Sequence, residues 1–254
     1  MLAFGTEKQA TRRRRVVRAM GIDFGKAEWM ECGTDAQLSP TISLIEQPPR
    51  SVLAAHFHRN NQFQLFVGGG GFIGRTPIEP VTIHYAGAYT GYGPLVAGDE
   101  GIRYFTIRPV CEAGAHAVAT ARDLMVRGPK RHATSAPVQV LEPTVLASLS
   151  EVQRDDVITH APDGLGATVV AVPPADVIPV PWVAAADGMF LLVLAGTLEP
   201  ALHAPLSVWE SIFVSHPQEL PMLRAGPRGA QIVCAFVPAK ADAYRQVQAQ
   251  ETRT

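Results

Sequence analysis

The sequence is poor in several features that would tie it to large protein classes. Only three cysteines occur in 254 residues. Cys32, Cys111 and Cys234 are odd in number, far apart and never in a CxxC pair, which argues against a disulfide framework and against a zinc–cysteine site. Free buried thiols in a reducing cytosol are the expectation. Net charge is missing too. The 22 Lys and Arg residues against 23 Asp and Glu leave a formal charge of -1, so no global field attracts nucleic acid or an anionic membrane. Neither is expected as a partner. No run reaches the roughly 18 apolar residues of a membrane helix. The nearest, VPWVAAADGMFLLVLAG, is broken by Pro181, Asp187 and Gly188.

The N-terminal run TRRRRVVRAM is not followed by the apolar stretch of a secretory signal, because Gly21, Asp23 and Lys26 come too early. Its arginines, Arg12 to Arg15 and Arg18, read as a solvated arm. A soluble, cytoplasmic protein is the expectation. Familiar catalytic signatures are also absent. GGGGFIG ends a hairpin rather than opening a helix, so it fails the structural context of a dinucleotide-binding turn. No GxSxG elbow or Walker sequence occurs, and His160, His203 and His216 fall among loops expected at the surface.

What the chain has in abundance is strands. Runs rich in Val, Ile, Phe and Tyr recur between Pro and Gly: TISLIEQ, SVLAAHFH, FQLFVGG, VTIHYAG and IRYFTIRP, then DVITHAP, ATVVAVP, MFLLVLAG, SVWESIFVS and AQIVCAFVP. With 22 Gly and 21 Pro the turns are well supplied, and the spacing suits an all-β barrel or sandwich better than alternating βαβ units. The Ala-rich segment from about Ala113 to Arg127 is the best helix candidate, stopped by Gly128 and Pro129. A second, weaker helix is expected around KADAYRQVQAQ. The halves echo one another in layout, which points to a duplicated β unit. The expected bounds are 1–40 for an arm and first strands, 41–112 for the first barrel, 113–150 for a helical linker, 151–240 for the second barrel and 241–254 for a tail.

One stretch concentrates polar chemistry. In AHFHRNNQFQLFVGGGG, strand alternation turns His56, His58, Gln62 and Gln64 to one face and Phe57, Phe63 and Leu65 to the other. Two imidazoles suit Fe, Mn, Ni, Cu or Zn, and the same side chains equally suit a metal-free polar pocket. HYAGAYTGYGPLVAGDEGIRYF gathers Tyr85, Tyr89, Tyr92 and Tyr104, followed by Arg103 and Arg108. Tyr hydroxyls and a guanidinium can hold a small carboxylate, although Tyr-Gly pairs also serve as turn and barrel-closure chemistry. Arg103 and Arg108 differ by an odd number, so only one faces inward on an unbulged strand.

The opening stretch resembles the first motif of the cupin superfamily, G-x5-H-x-H-x3,4-E-x6-G. His56 and His58 stand at its histidine pair, Gln62 at its glutamate and Gly69 at its closing glycine, while Arg50 replaces the leading glycine. The second motif, G-x5-P-x-G-x2-H-x3-N, has no histidine at its place; His84 is the nearest strand-borne candidate. The second half resembles a cupin barrel in layout, with no ligand among Trp182 to Ala185 or at Met189. The resemblance implies an all-β double-stranded β-helix (jelly-roll) architecture, two cupin barrels in tandem with a short helical linker. It further implies a divalent transition metal on His56, His58, Gln62 and His84, with Gln64, Tyr85, Tyr92, Arg103, Tyr104 and Arg108 as substrate-binding residues and a homodimeric assembly. The function implied is an oxygenase-like enzyme acting on a small organic substrate; the alternative is a metal-poor bicupin that binds or senses a small molecule without catalysis.

Overall fold

The computed structural model describes residues 1–31, 33–35, 39–112 and 114–251. Cys32 and the first residue of the expected linker helix, Ala113, lie outside the described residues. In chain order the elements are β1 (Leu2–Gly5), α1 (Glu7–Arg12), β2 (Arg14–Ala19), β3 (Ile22–Met30), β4 (Thr41–Gln47), β5 (Val52–Leu53), β6 (His56–Phe57), β7 (Gln62–Ile73), β8 (Thr76–Ile78) and β9 (Thr82–Ala86). There follow β10 (Leu95–Arg108), β11 (His116–Ala117), β12 (His132–Thr134), α2 (Pro143–Ala147), β13 (Gln153–Ile158), β14 (Gly166–Val172), β15 (Ala186–Pro200), β16 (Ser211–Val214), β17 (Leu223–Pro238) and α3 (Asp242–Glu251). All ten runs read as strands contribute to strands, and every described pairing is antiparallel.

The chain forms two compact units, and its ends are exchanged between them. One comprises residues 11–137 with 240–254; the other comprises 1–10 with 138–239. The first carries a nine-stranded sheet whose main path runs β12-β9-β7-β10-β4-β3-β2, with β5 on β10 and β8 on β7, beside a two-stranded ribbon of β6 and β11. The second carries a six-stranded sheet in the order β1-β16-β15-β17-β14-β13. Within the expected N-terminal segment 1–40, β1 belongs to the second unit, where it pairs with β16 from Leu2↔Val214 to Gly5↔Ser211. Of the expected tail, 241–254, the helix α3 (Asp242–Glu251) belongs with the first barrel's unit, and 252–254 lie outside the described residues. A four-residue strand carries no pattern that names its partner edge, and hence the sequence was silent here.

Two further expectations are corrected. The Ala-rich segment is not a helix: it forms β11 and one short 3-10 turn over Arg122–Leu124. Backbone pairing of His116 with Phe57 and of Val118 with Ala55 holds it extended, so tertiary pairing outweighs alanine's helix propensity. The arginine run is not a loose arm either. It forms α1's last turn and the edge strand β2, with ion pairs Arg13–Glu31, Arg14–Glu46, Arg15–Glu28 and Arg18–Asp23. Each exposed pair is worth little by itself, but an arginine-rich edge discourages pairing with another chain.

The glycine run has a backbone reason. β7 continues through Gly68 to Gly71 rather than ending there. A Cβ on Gly69, at φ +66°, would overlap the carbonyl oxygen of Gly101, and one on Gly71 would overlap that of Val96. The other unit repeats the device: Gly196, at φ +73°, abuts the carbonyl of Gly229 on the neighbouring strand. The echo between the halves thus marks the same tight crossing of two long strands. Gly69→Ala should destabilise the protein by on the order of 3 kcal/mol or more, since only backbone could yield. Gly21→Ala, also at positive φ but with nothing within 4 Å of the added Cβ, should cost only about 1 kcal/mol. Urea unfolding of both variants provides the comparison, and equal losses would refute the crossing as the cause.

The two interiors differ in kind. In the unit of residues 138–239, Met189, Leu191, Val193, Ile232, Cys234 and Phe236 are all sealed from solvent within one apolar cluster, and burial pushes the Cys234 thiol up to about 12. The first unit buries His56, His58, Gln62, Gln64 and His84 instead.

Candidate small-molecule site of the N-terminal barrel

Four strands bring the polar residues together. His56 stands on β6, Gln62 and Gln64 start β7, His84 is on β9 directly opposite Gln64, and Arg108 ends β10. Because the pleat alternates, Phe57, Phe63 and Leu65 point to the other face and are buried there. Tyr92 joins through backbone hydrogen bonds in both directions with His56.

The inward side chains form one continuous hydrogen-bond chain. His56 Nδ1 donates to the Ala54 carbonyl (2.8 Å), leaving Nε2 to accept from the Tyr92 hydroxyl (2.8 Å). That hydroxyl accepts from Gln62 Nε2 (2.7 Å), and Gln62 Oε1 accepts from Arg108 Nε (2.7 Å). Arg108 Nη2 reaches His58 Nε2 at 3.3 Å, and His58 Nδ1 donates to the Gly114 carbonyl at 3.0 Å with Glu112 Oε1 3.6 Å away. Glu112 itself accepts from the backbone amides of Arg59 and Asn60.

Burial and the guanidinium set the charges. Desolvation, with Arg108 adding to it, lowers the histidines: His56 and His58 both fall to about 4, so each is neutral at pH 7. His84, buried and beside His132, falls to about 3. Burial raises the Tyr92 and Tyr104 phenols, which stay protonated. Burial would also raise Glu112, but hydrogen bonds from His58 and the Arg59 amide, with the Arg108 guanidinium nearby, bring the carboxyl below its ordinary value. The cluster therefore carries Arg108 as a cation and Glu112 as an anion behind His58. Among the described residues, no ion pair of this unit includes Arg108.

The expected site residues divide clearly. His56, His58, Gln62, Tyr92 and Arg108 meet; Gln64, His84 and Tyr104 line the same face, Tyr104 with its ring against Phe66. Tyr85 does not join them. It points to the other face, its ring beside Phe63 and its hydroxyl donating to Asn61. Arg103 is exposed and lies over Gly68, so of the two arginines Arg108 is the inward one. His84 does not meet His56 or His58: its Nδ1 bonds Thr134 Oγ1 at 2.8 Å. Sequence reasoning missed Glu112 and Thr134, whose roles come from a loop and from a strand 50 residues beyond His84 in the chain. His160 is only half-buried but not idle, sharing Thr168 Oγ1 with Asp156 beside a surface cavity of about 400 Å³ in the other unit.

The donor set does not suit a metal as arranged. A cation would need the Nε2 atoms of His56 and His58 and Gln62 Oε1, yet each already accepts a hydrogen bond, two of them from a guanidinium. The Arg108 guanidinium contacts two of those three atoms and adds a positive charge beside them. Among the described residues no group of three His, Cys, Asp or Glu side chains has metal-binding geometry.

No family model matches the sequence, and no curated protein matches it. Solved structures do match the fold. Oxalate decarboxylase from Lactobacillus farciminis, solved as a formate complex, is 8% identical at a TM-score of 0.57, over 94% of this chain and 87% of that one. The bacterial pirin YhhW from Escherichia coli, in complex with nickel(II), is 10% identical at a TM-score of 0.54, over 94% and 99%. AerE from Microcystis aeruginosa is 12% identical at a TM-score of 0.55, over 93% and 99%. These neighbours are cupin-family proteins, and the protein has their fold: antiparallel cupin β-barrels, mostly strand with little helix. At such identities the likeness defines the fold and leaves the chemistry to the residues. No described helix is long and apolar enough to cross a membrane.

Proposed function

We propose that the N-terminal barrel binds a small organic acid without a metal, with Arg108 taking the carboxylate, and that the protein is a binding or sensing bicupin. The observation that carries this reading is Arg108 itself. It is a guanidinium fixed by Gln62 and His58 on the inner face, among neutral imidazoles, and among the described residues no carboxylate is in ion-pair contact with it. A partly buried cation of that kind is stabilised by an anionic ligand, and the planar fork suits a carboxylate. The formate named with the oxalate decarboxylase neighbour is a ligand of that class. The two motif histidines have their Nε2 lone pairs hydrogen-bonded, so neither offers a general base as it stands.

Butyrate titrated calorimetrically into the full chain should bind, and Arg108→Met, which keeps the stem and removes the charge, should weaken it at least tenfold. Equal affinity in both proteins would defeat the reading.

A second reading keeps a divalent metal and an oxygenase-like reaction on a small organic substrate. The intact His56–His58 pair favours it, as does the nickel named with pirin. It requires Arg108 to withdraw from both ligand atoms. Elemental analysis of protein purified without chelator or histidine tag separates the readings: far less than one transition metal per chain is expected here, and one per chain would favour the second.

A further inference from the structure

The rung beyond Arg108 holds two polar atoms that the protein leaves unmatched. Gln64 is 1% and His84 2% exposed, and they are directly opposite partners on β7 and β9. Their side chains share the inner face, since Gln64 follows Gln62 by two residues. Gln64 Oε1 and His84 Nε2 are both buried without a hydrogen-bond partner. Such groups are costly to leave so in a folded interior, and each asks for an explanation. Opposite residues on paired strands have Cβ atoms only about 5 Å apart, so one small group can serve both atoms.

The chemistry of that group follows from the two atoms. Gln64 Oε1 can only accept, so the group must donate. The imidazole of His84 is neutral and has one N–H. Nδ1 pairs with the Thr134 hydroxyl, which can donate or accept; in the tautomer where Thr134 donates, the proton stands on Nε2 and the group must also accept. A hydroxyl does both. An ammonium only donates, and it would sit about one rung, roughly 7 Å, from Arg108 with no carboxylate on that rung.

We infer that the ligand of this barrel is a hydroxy acid: its carboxylate meets Arg108 and its hydroxyl bridges Gln64 Oε1 and His84 Nε2. The inference rests on the carboxylate reading above and adds the second contact. Gln64 and His84 would then determine specificity, while Arg108 supplies the anchor.

Calorimetric titration of the full chain with butyrate, 3-hydroxybutyrate, 3-aminobutyrate and butane-1,3-diol tests it. 3-Hydroxybutyrate should bind roughly tenfold to a hundredfold tighter than butyrate, because its hydroxyl satisfies both buried atoms. The diol should bind much more weakly than the hydroxy acid. Gln64→Met should erase the preference of 3-hydroxybutyrate over butyrate, and His84→Gln, monitored by thermal melting for correct folding, should reduce it. Equal affinity for butyrate and 3-hydroxybutyrate would overturn the hydroxyl assignment and leave Arg108's role standing, with water as the occupant of the rung. Tighter binding of 3-aminobutyrate would overturn it in favour of an amine. If neither acid binds at millimolar concentration, the carboxylate reading fails and this inference fails with it.

Discussion

Acidification from pH 7 to pH 5 should destabilise the N-terminal barrel by about 6 kcal/mol. In the folded protein His56 and His58 titrate near 4 and His84 near 3, all below the ordinary 6.5, because burial disfavours the imidazolium. The unfolded chain takes up protons on all three as pH falls through 6.5, whereas the folded barrel does not until about 4. Between those values the unfolded state binds up to three more protons, so stability falls as pH falls. Each histidine contributes a slope of roughly 1.4 kcal/mol per pH unit. Glu112 works in the same direction but lower: its folded value is depressed, so its contribution is present above the ordinary carboxylate range and lost only below it. Calorimetric melting of the full chain at pH 7, 6 and 5 should show the midpoint fall by about 15 °C. Replacing His84 by Gln should remove about a third of the slope. A midpoint that stays level down to pH 5 would mean that these imidazoles are not buried neutral.

The sequence exposed the barrel's polar face because strand alternation is a local rule. Parity holds within β7, where Gln62 and Gln64 share a face, but the run is not one strand: His56 stands on β6, residues 58–61 are in no strand, and backbone pairing with Tyr92 brings His56 to the cluster. The same parity rule allowed only one of Arg103 and Arg108 inside, but it could not choose between them. The register of β10 with β7, shifted between Arg103 and Tyr104, makes that choice. Tyr85 was misplaced for a similar reason. It shares a strand with His84, and adjacent residues cannot both face the interior. Alanine content suggested a helix where the edge of β6 needed a partner, and the terminal strand β1 bears no mark of its pairing with β16. Long-range pairing decided each case that local pattern left open. The glycines were legible as a motif but not as a cause, since the oxygen that excludes a Cβ at Gly69 belongs to Gly101, 32 positions later.

Combining Arg108→Ala with Gln62→Glu should convert the barrel into a nickel(II) site, raising affinity at least a hundredfold over the parent. In the parent, Arg108 donates to Gln62 Oε1 and His58 Nε2, occupying two of the three atoms that a cation would use. A unit charge about 4 Å from a divalent cation opposes it by roughly 8 kcal/mol at an effective dielectric of about 20. Recovering even a third of that is about a hundredfold in affinity. The first change removes the charge and frees both atoms; the second supplies a carboxylate, a better donor than an amide carbonyl. His56 Nε2 is released when the Tyr92 hydroxyl, which Gln62 Nε2 no longer holds, turns away. Arg108→Lys with Gln62→Glu keeps a cation in the cluster and should gain little. Competition against a nickel chelator measures all three proteins. Similar affinity in the parent and the Ala–Glu variant would show that Arg108 does not guard the site, and the metal reading would then regain its ground.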